Sequence, residues 1–193
     1  MSTPEDALRE YNNGLPDGLR RHIERMVEEA LRLAAAHGLD EARVRLAVLG
    51  HDLVRAMAPE ELLRLADEIG LKLSDVERAE PMLLHGVIAA RLLPERFGVA
   101  DPEILDAVRY HTTGRAGMSA LEKVVYIADK TEPGGLKWFP EWSEVRELAD
   151  RDLDAALLRG LDLSIERALR ERWLLHPDTV AARNHLLRQR PGT

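Results

Sequence analysis

The sequence predicts an all-α protein, a helical bundle, and three observations carry that expectation. Leu, Ala, Arg and Glu dominate, while runs of β-branched residues are scarce. Apolar residues recur at spacings of three and four. Helix start and stop signals punctuate the chain at short intervals. Apolar residues fill 45% of the 193 positions, enough for a real core, although aromatics reach only 4%. The length fits one domain over residues 1–193, with a core over about 18–132 and C-terminal helices over about 143–190 packed on it.

Composition also narrows the chemistry. The formal net charge is −7, and Lys and Arg form no long basic run, so no nucleic-acid polymer is expected as a partner. A local basic pocket for phosphates stays open. There is no cysteine, so any metal must be held by His and carboxylates. Met1 to Glu10 is polar and lacks a signal-peptide apolar core, and no apolar run approaches membrane-spanning length. A soluble cytoplasmic protein with no membrane contact is the expectation.

The helices follow in order. Thr3-Pro4-Glu5-Asp6 opens a short one, broken by Asn12-Asn13-Gly14-Leu15-Pro16. A second runs from Asp17 to Ala36, with Ile23, Met26, Ala30 and Leu33 on its apolar side and His22 at the edge. His37-Gly38 stops it, His37 facing the helix dipole. Asp40 caps a third, expected from Glu41 to about Met57. Val44, Ala47 and His51 align, as do Val48 and Asp52, so the His-Asp pair continues a buried stripe. Gly50 beside it admits close approach of another helix. Pro59 starts a helix to Ile69, and Leu71 to Glu80 reads as a connector. Pro81 opens a helix to about Arg96 that carries His85 beside Leu84, Ile88 and Leu92. Asp101-Pro102 starts the next, leading through Ile104 and Val108 to His111. After the polar turn Thr112 to Gly117, the capping box Ser119-Ala120-Leu121-Glu122 launches the most apolar segment, with Asp129 directly after Ala128. Gly134 to Trp142 reads as irregular. Ser143 to Arg172 reads as one long amphipathic helix with Gly160 the place for any interruption, and it offers a possible homodimer surface. His176-Pro177-Asp178 starts a final helix ending near Arg190.

Five of these helices each turn a His or Asp inward: His22, His51-Asp52, His85, His111 and Asp129. Burying an ionisable group costs several kcal/mol unless it is paired or bound. A lone core histidine usually bonds a carbonyl, but convergence of five helices points to a divalent metal. Nitrogen and oxygen donors without sulfur suit iron, manganese, cobalt, nickel or zinc better than calcium. Such an ion acidifies water and clamps a phosphoryl oxygen, which implies hydrolysis of a phosphate ester or anhydride.

The order His22, His51-Asp52, Asp129 resembles the HD-domain metal-dependent phosphohydrolases. The match extends through His22-Ile23-Glu24-Arg25, Leu84-His85-Gly86, Tyr110-His111-Thr112-Thr113-Gly114-Arg115, Ile127-Ala128-Asp129, Glu132-Pro133, Asp152-Leu153-Asp154, His176-Pro177-Asp178-Thr179 and Ala182-Arg183-Asn184. Together these are similar to the YqeK family of symmetrical bis(5'-nucleosyl)-tetraphosphatases. The resemblance implies an HD-domain bundle with its metal site in the core. It implies cleavage of diadenosine tetraphosphate into two ADP, with iron as the metal and one or two ions. By the same resemblance His22, His51, Asp52 and Asp129 are metal ligands, and His85, His111 and Asp52 are catalytic. His22, His85, His111, Thr112, Arg115 and Asp129 then border the substrate, a dinucleoside polyphosphate or a nucleotide. Two departures stand out. Arg55 occupies a place where the family usually has Lys, and Gly134-Gly135 follows Glu-Pro where Arg is usual, leaving Lys137 as a substitute. Trp138, Phe139 and Trp142 either stack on a nucleobase or, as we favour, plug the loop onto the core. His176 either approaches the nucleotide or caps its helix, and His185 reads as surface or packing. The alternatives are another HD phosphohydrolase, acting on nucleoside monophosphates or cyclic nucleotides, and a non-catalytic nucleotide-binding module.

Overall fold

A computed structural model describes residues 2–189, and among them the chain is helical throughout, with no strand. α1 (Pro4–Asn13) starts at a capping box between Thr3 and Asp6. α2 (Asp17–His37) stops at Gly38, which takes the left-handed conformation at φ 66°. α3 (Glu41–Gly50) is capped by Asp40, whose carboxylate accepts the N–H groups of Ala42 and Arg43. It ends seven residues short of the Met57 boundary expected above. Tighter bonds, Arg55 N–H to Asp52 and Met57 N–H to Val54, both 3.0 Å, close turns there instead. A Cβ at Gly50 would sit 2.9 Å from the Leu93 side chain, which explains glycine at this helix end.

α4 (Pro59–Glu68) is followed by α5 (Asp75–Ala79), a short helix inside the expected connector, made by a capping box between Ser74 and Glu77. A 3-10 turn at Pro81–Leu83 leads into α6 (Leu84–Phe97). α7 (Pro102–Tyr110) starts at Asp101. α8 (Ala120–Thr131) buries Leu121 and the run Val124 to Ala128 and carries Asp129 within it, not after it. It is the central helix, touched by α2, α3 and α7 and by the C-terminal elements.

The stretch read as irregular is largely helical. α9 (Pro133–Trp138) forms because the Glu132 carboxylate accepts the N–H groups of Gly134 and Gly135, and a 3-10 turn follows at Pro140–Trp142. The single long helix expected after Ser143 is two: α10 (Ser143–Ala149) and α11 (Leu153–Glu171), with Asp152 capping the second. Gly160 does not interrupt α11. It seats Trp142, whose ring would lie 2.9 Å from an added Cβ. α12 (Pro177–Gln189) completes the described chain, and the expected end near Arg190 lies outside the described residues.

Charge ties α10 to α2. Buried Glu29 takes both Arg146 nitrogens at 3.0 and 2.8 Å and Arg32 at 2.7 Å, while Arg32 also reaches Asp150. His37 donates to the Ala149 carbonyl at 2.6 Å, so it serves the end of α10 as well as its own helix. No helix among the described residues is long and apolar enough to cross a membrane.

Candidate active site

The inward histidines and aspartates meet at one place. His22 Nε2 lies 3.2 Å from Asp129 Oδ1 and 4.0 Å from Asp52 Oδ2. His51 Nε2 lies 3.3 Å from Asp52 Oδ2 and 3.9 Å from Asp129 Oδ1. The other Asp52 oxygen faces a second group: His85 Nε2 at 3.2 Å and His111 Nε2 at 3.8 Å. Those two Nε2 atoms are 2.9 Å apart. Asp52 therefore stands between two histidine clusters.

Each ring is aimed by its other nitrogen. His51 Nδ1 donates to Val48 O and His111 Nδ1 to Val108 O, both at 2.7 Å, and His85 Nδ1 donates to Met82 O. A carbonyl only accepts, so each Nδ1 carries the hydrogen and, in the neutral ring, each Nε2 offers a lone pair to the centre. His22 is held by Glu132, whose Oε1 is 3.2 Å from Nδ1, and Arg25 anchors the other Glu132 oxygen at 2.5 Å.

The residues fit a bound cation. His51 Nε2 is fully buried, has no hydrogen-bond donor, and faces a carboxylate oxygen. Lone pair meets lone pair there and again between His85 and His111. A cation relieves both contacts. Donor atoms of His22, His51 and Asp129 lie within 4.8 Å of one another, as do those of His51, Asp52 and His111. The site's appetite for positive charge also shows in its acidity. Burial opposes charge on His22, yet the Asp129 and Glu132 carboxylates raise its pKa to about 10. Burial likewise opposes ionised Asp52 and Asp129; for Asp52 the imidazoles of His51 and His85, and for Asp129 Lys130 and His22, hold the carboxyl well below the usual range. Burial, with His85 and His51 nearby, pushes His111 down to about 3, so its ring is neutral.

Two contributors carried no role in the sequence reading. Lys130 donates to Asp129 Oδ2 at 3.1 Å and to the His111 carbonyl at 2.9 Å, over the Tyr126 ring at 3.9 Å. It ties the two clusters together and leaves Asp129 Oδ1 for the centre. Its signal was the Asp-Lys dipeptide ending the most apolar helix. Glu132, visible only as part of a Glu-Pro motif, orients His22 and caps α9 with one carboxylate.

The centre opens into a cavity of about 860 Å³. His22, Asp52, His85, His111, Thr112 and Asp129 line it, together with Phe139, Trp142, Ser164, Arg167 and Trp173. Thr112 Oγ1 lies 3.2 Å from His111 Nε2. Arg55 stands exposed on the lining and makes no ion pair among the described residues.

Two expected phosphate contacts lie elsewhere. Arg115 is held by Glu122 at 2.6 and 2.9 Å and by Asp106 at 3.2 Å, and it borders a separate small cavity beside His185. Gly114, at φ 67°, turns the chain, and the buried Glu122 carboxylate claims the guanidinium. Lys137 is exposed on α9, in a small pocket with Arg25 and Trp138 and off the lining of the large cavity. Trp138 is 81% exposed, whereas Trp142 is buried against Gly160. His176 accepts the Asp178 N–H at 3.2 Å at the start of α12, away from the large cavity, and His185 bonds Gln189 at 2.9 Å.

Fold and site thus define a helical protein that gathers imidazoles and carboxylates to hold a divalent cation beside a ligand-sized cavity. The HD domain family model matches residues 19–134. The Bacillus subtilis protein named symmetrical bis(5'-nucleosyl)-tetraphosphatase is 33% identical over 183 residues, covering 95% of this chain and 97% of that one. A protein of the same name from Halalkalibacterium halodurans is 35% identical over 167 residues, covering 86% and 88%. A Clostridium acetobutylicum crystal structure, described as a "predicted HD superfamily hydrolase involved in NAD metabolism", superposes with a TM-score of 0.90 at 34% identity, covering 96% of this chain and 97% of that one. The chain belongs to the HD-domain family, in the group that holds these tetraphosphatases.

Proposed function

We propose that this chain is a metal-dependent hydrolase that splits diadenosine tetraphosphate at its centre into two ADP. The observation that carries this reading is the facing set of Nε2 and carboxylate lone pairs beside a cavity of nucleotide size, in a chain aligned almost end to end with tetraphosphatases. His22, His51, Asp52 and Asp129 would hold the ion. A divalent transition metal supplies Lewis acidity there, polarising a phosphoryl oxygen and acidifying water. Iron is our choice of ion, on the family resemblance and the sulfur-free donor set.

The chain's own groups do the rest. Water attacks a central phosphorus, the bond to the bridging oxygen breaks, and departing ADP needs a proton. A proton shared across the 2.9 Å gap between His85 and His111 makes that pair the general acid. In the competing use of the pair, His85, His111 and Asp52 would hold a second ion, which would supply further Lewis acidity. Glu132 and Lys130 fix the His22 ring and the Asp129 carboxylate before substrate arrives. The Thr112 hydroxyl donates to phosphate oxygens, and Arg55, without a carboxylate partner among the described residues, takes outer phosphate charge.

The test is a product assay on iron- or manganese-loaded protein. ADP as the main product supports the reading, and AMP plus ATP contradicts it. Asp52→Ala and Asp129→Ala should each abolish turnover and lower bound metal. Metal analysis of protein purified without oxygen reads the number of ions.

A further inference from the structure

The part of the cavity lining outside the His/Asp cluster has its own chemistry. The Arg167 guanidinium carbon lies 4.3 Å from the Phe139 ring centroid and 5.0 Å from that of Trp173. All three residues line the large cavity. Arg167 has no carboxylate partner among the described residues, so the ring faces hold its charge and that charge stays available to the cavity. Trp173 borders the cavity and is half exposed, so part of the indole is open to a ligand. Its position is built by the backbone. Arg172 takes φ 58°, the one left-handed non-glycine residue among those described, and the Trp173 N–H bonds back to the Ala168 carbonyl at 2.8 Å. That reversal folds the indole against Arg167. A side chain held in a conformation suited to glycine marks a placement the surroundings enforce.

Two aromatic rings braced by a guanidinium suit a flat, electron-rich heterocycle attached to a polyanion. We infer that Phe139, Arg167 and Trp173 form the platform on which one nucleobase of the substrate stacks, and that stacking area makes the site prefer purines to pyrimidines. The inference rests on the nucleotide reading above and adds the base-binding residues to it. Besides Thr112, Ser164 is the one side-chain hydroxyl on the cavity lining, and it is engaged with Tyr126 at 3.1 Å. Recognition therefore runs through ring faces, not through a hydrogen-bond code, and adenine and guanine are accepted alike.

The direct test is calorimetric titration of the metal-loaded protein with ADP, GDP, UDP and pyrophosphate. ADP and GDP should bind within a few-fold of each other and several-fold tighter than UDP, because a two-ring base buries more apolar area against the rings. Trp173→Ala should weaken ADP about 10-fold and leave pyrophosphate unchanged, whereas Trp173→Phe, which keeps a ring, should retain most ADP affinity. Arg167→Ala should weaken ADP by at least as much. Trp173 is half exposed, so its truncation spares the core, and unchanged circular dichroism confirms this. In turnover the same variants should raise KM for diadenosine tetraphosphate. ADP, UDP and pyrophosphate of equal affinity, or Trp173→Ala within twofold of the parent for ADP, would overturn the platform. The two readings fail separately. Wild-type protein that binds ADP over UDP but leaves diadenosine tetraphosphate intact defeats the hydrolase reading alone. Wild-type protein that cleaves it, with KM unmoved by both alanine variants, defeats the platform alone.

Discussion

Gly86→Ala should damage the site more than the fold. Gly86 is in α6, where it passes α7. An added Cβ would lie 2.9 Å from the Val108 carbonyl oxygen and 3.0 Å from both Cε1 and Nδ1 of His111. Comfortable contact needs about 3.5 Å or more, so something must move by roughly half an ångström. Val108 O and His111 Nδ1 share a 2.7 Å hydrogen bond and shift as a unit. Overpacking of this kind costs about 1–3 kcal/mol, which for a chain of this size lowers Tm by roughly 2–12 °C. The same shift moves the His111 ring off its 2.9 Å contact with His85 and its 3.8 Å approach to Asp52. A full ångström of misplacement costs about 100-fold in rate, so half of that predicts a kcat loss of about 10-fold. His22, Asp129 and His51 are not touched by the new methyl, so bound metal at that cluster should persist. Thermal unfolding, turnover and metal content measured on one preparation check all three statements. A kcat within twofold of the parent, with Tm unchanged, would refute the claim that close α6–α7 contact sets the His85–His111 geometry.

Three further outcomes follow from other parts of the molecule. Glu29→Ala should destabilise by about 2–3 kcal/mol in chemical denaturation, below the range for a fully buried pair because both arginines are partly exposed; the variant leaves Arg32 and Arg146 facing each other without their shared carboxylate. Burial opposes ionised Glu29, yet Arg32 and Arg146 hold its pKa below normal. That stabilisation is present above the unfolded glutamate value of about 4.3 and is lost as pH falls through the folded one, so the gap between parent and Glu29→Gln should close in acid. Metal affinity should rise with pH through the neutral range: the His22 pKa is raised to about 10, so a proton competes with the ion for the ring, and potentiometric titration should detect proton release on binding. Arg172→Gly should raise stability by about 1 kcal/mol, since glycine adopts φ 58° without a Cβ clash.

What could be read from residues alone depended on whether the signal was local. His22, His51, Asp52, His85, His111 and Asp129 stood out because each sets a polar group on an apolar helical face, and faces are fixed by spacing. Their convergence then followed from packing around one buried helix, α8. Helix ends governed by a neighbouring cap were legible too, as at Asp40, Asp101 and Ser119. The failures share the opposite property. α9 forms through Glu132, a carboxylate whose capping of Gly134 and Gly135 outweighs the poor propensity of two glycines. Gly160 reads as a break, but it is a seat for Trp142 from another element. Arg115 and Lys137 carry the right charge in the right segments, and tertiary structure decides where they point: a buried glutamate takes one, and the outer face of α9 carries the other.

The same distinction explains why Arg167 and Trp173 escaped notice and why Phe139 entered only as one of two readings of its loop. The candidate metal site is assembled from polar residues that are anomalous in their own helices. The proposed platform uses Phe139, Arg167 and Trp173; Arg167 and Trp173 are residue types unremarkable on an amphipathic surface, and only their meeting with Phe139 in space singles them out. Their places are set by two backbone events, the Glu132 cap that creates α9 and the left-handed Arg172 that ends α11. Glu132 also holds His22, so one carboxylate governs both the metal ligand and the helix that presents Phe139. On the proposed reading, chemistry and nucleotide binding are coupled through Glu132. Its replacement by Gln should disturb metal affinity and ADP affinity together, whereas Trp173→Ala should move only the second.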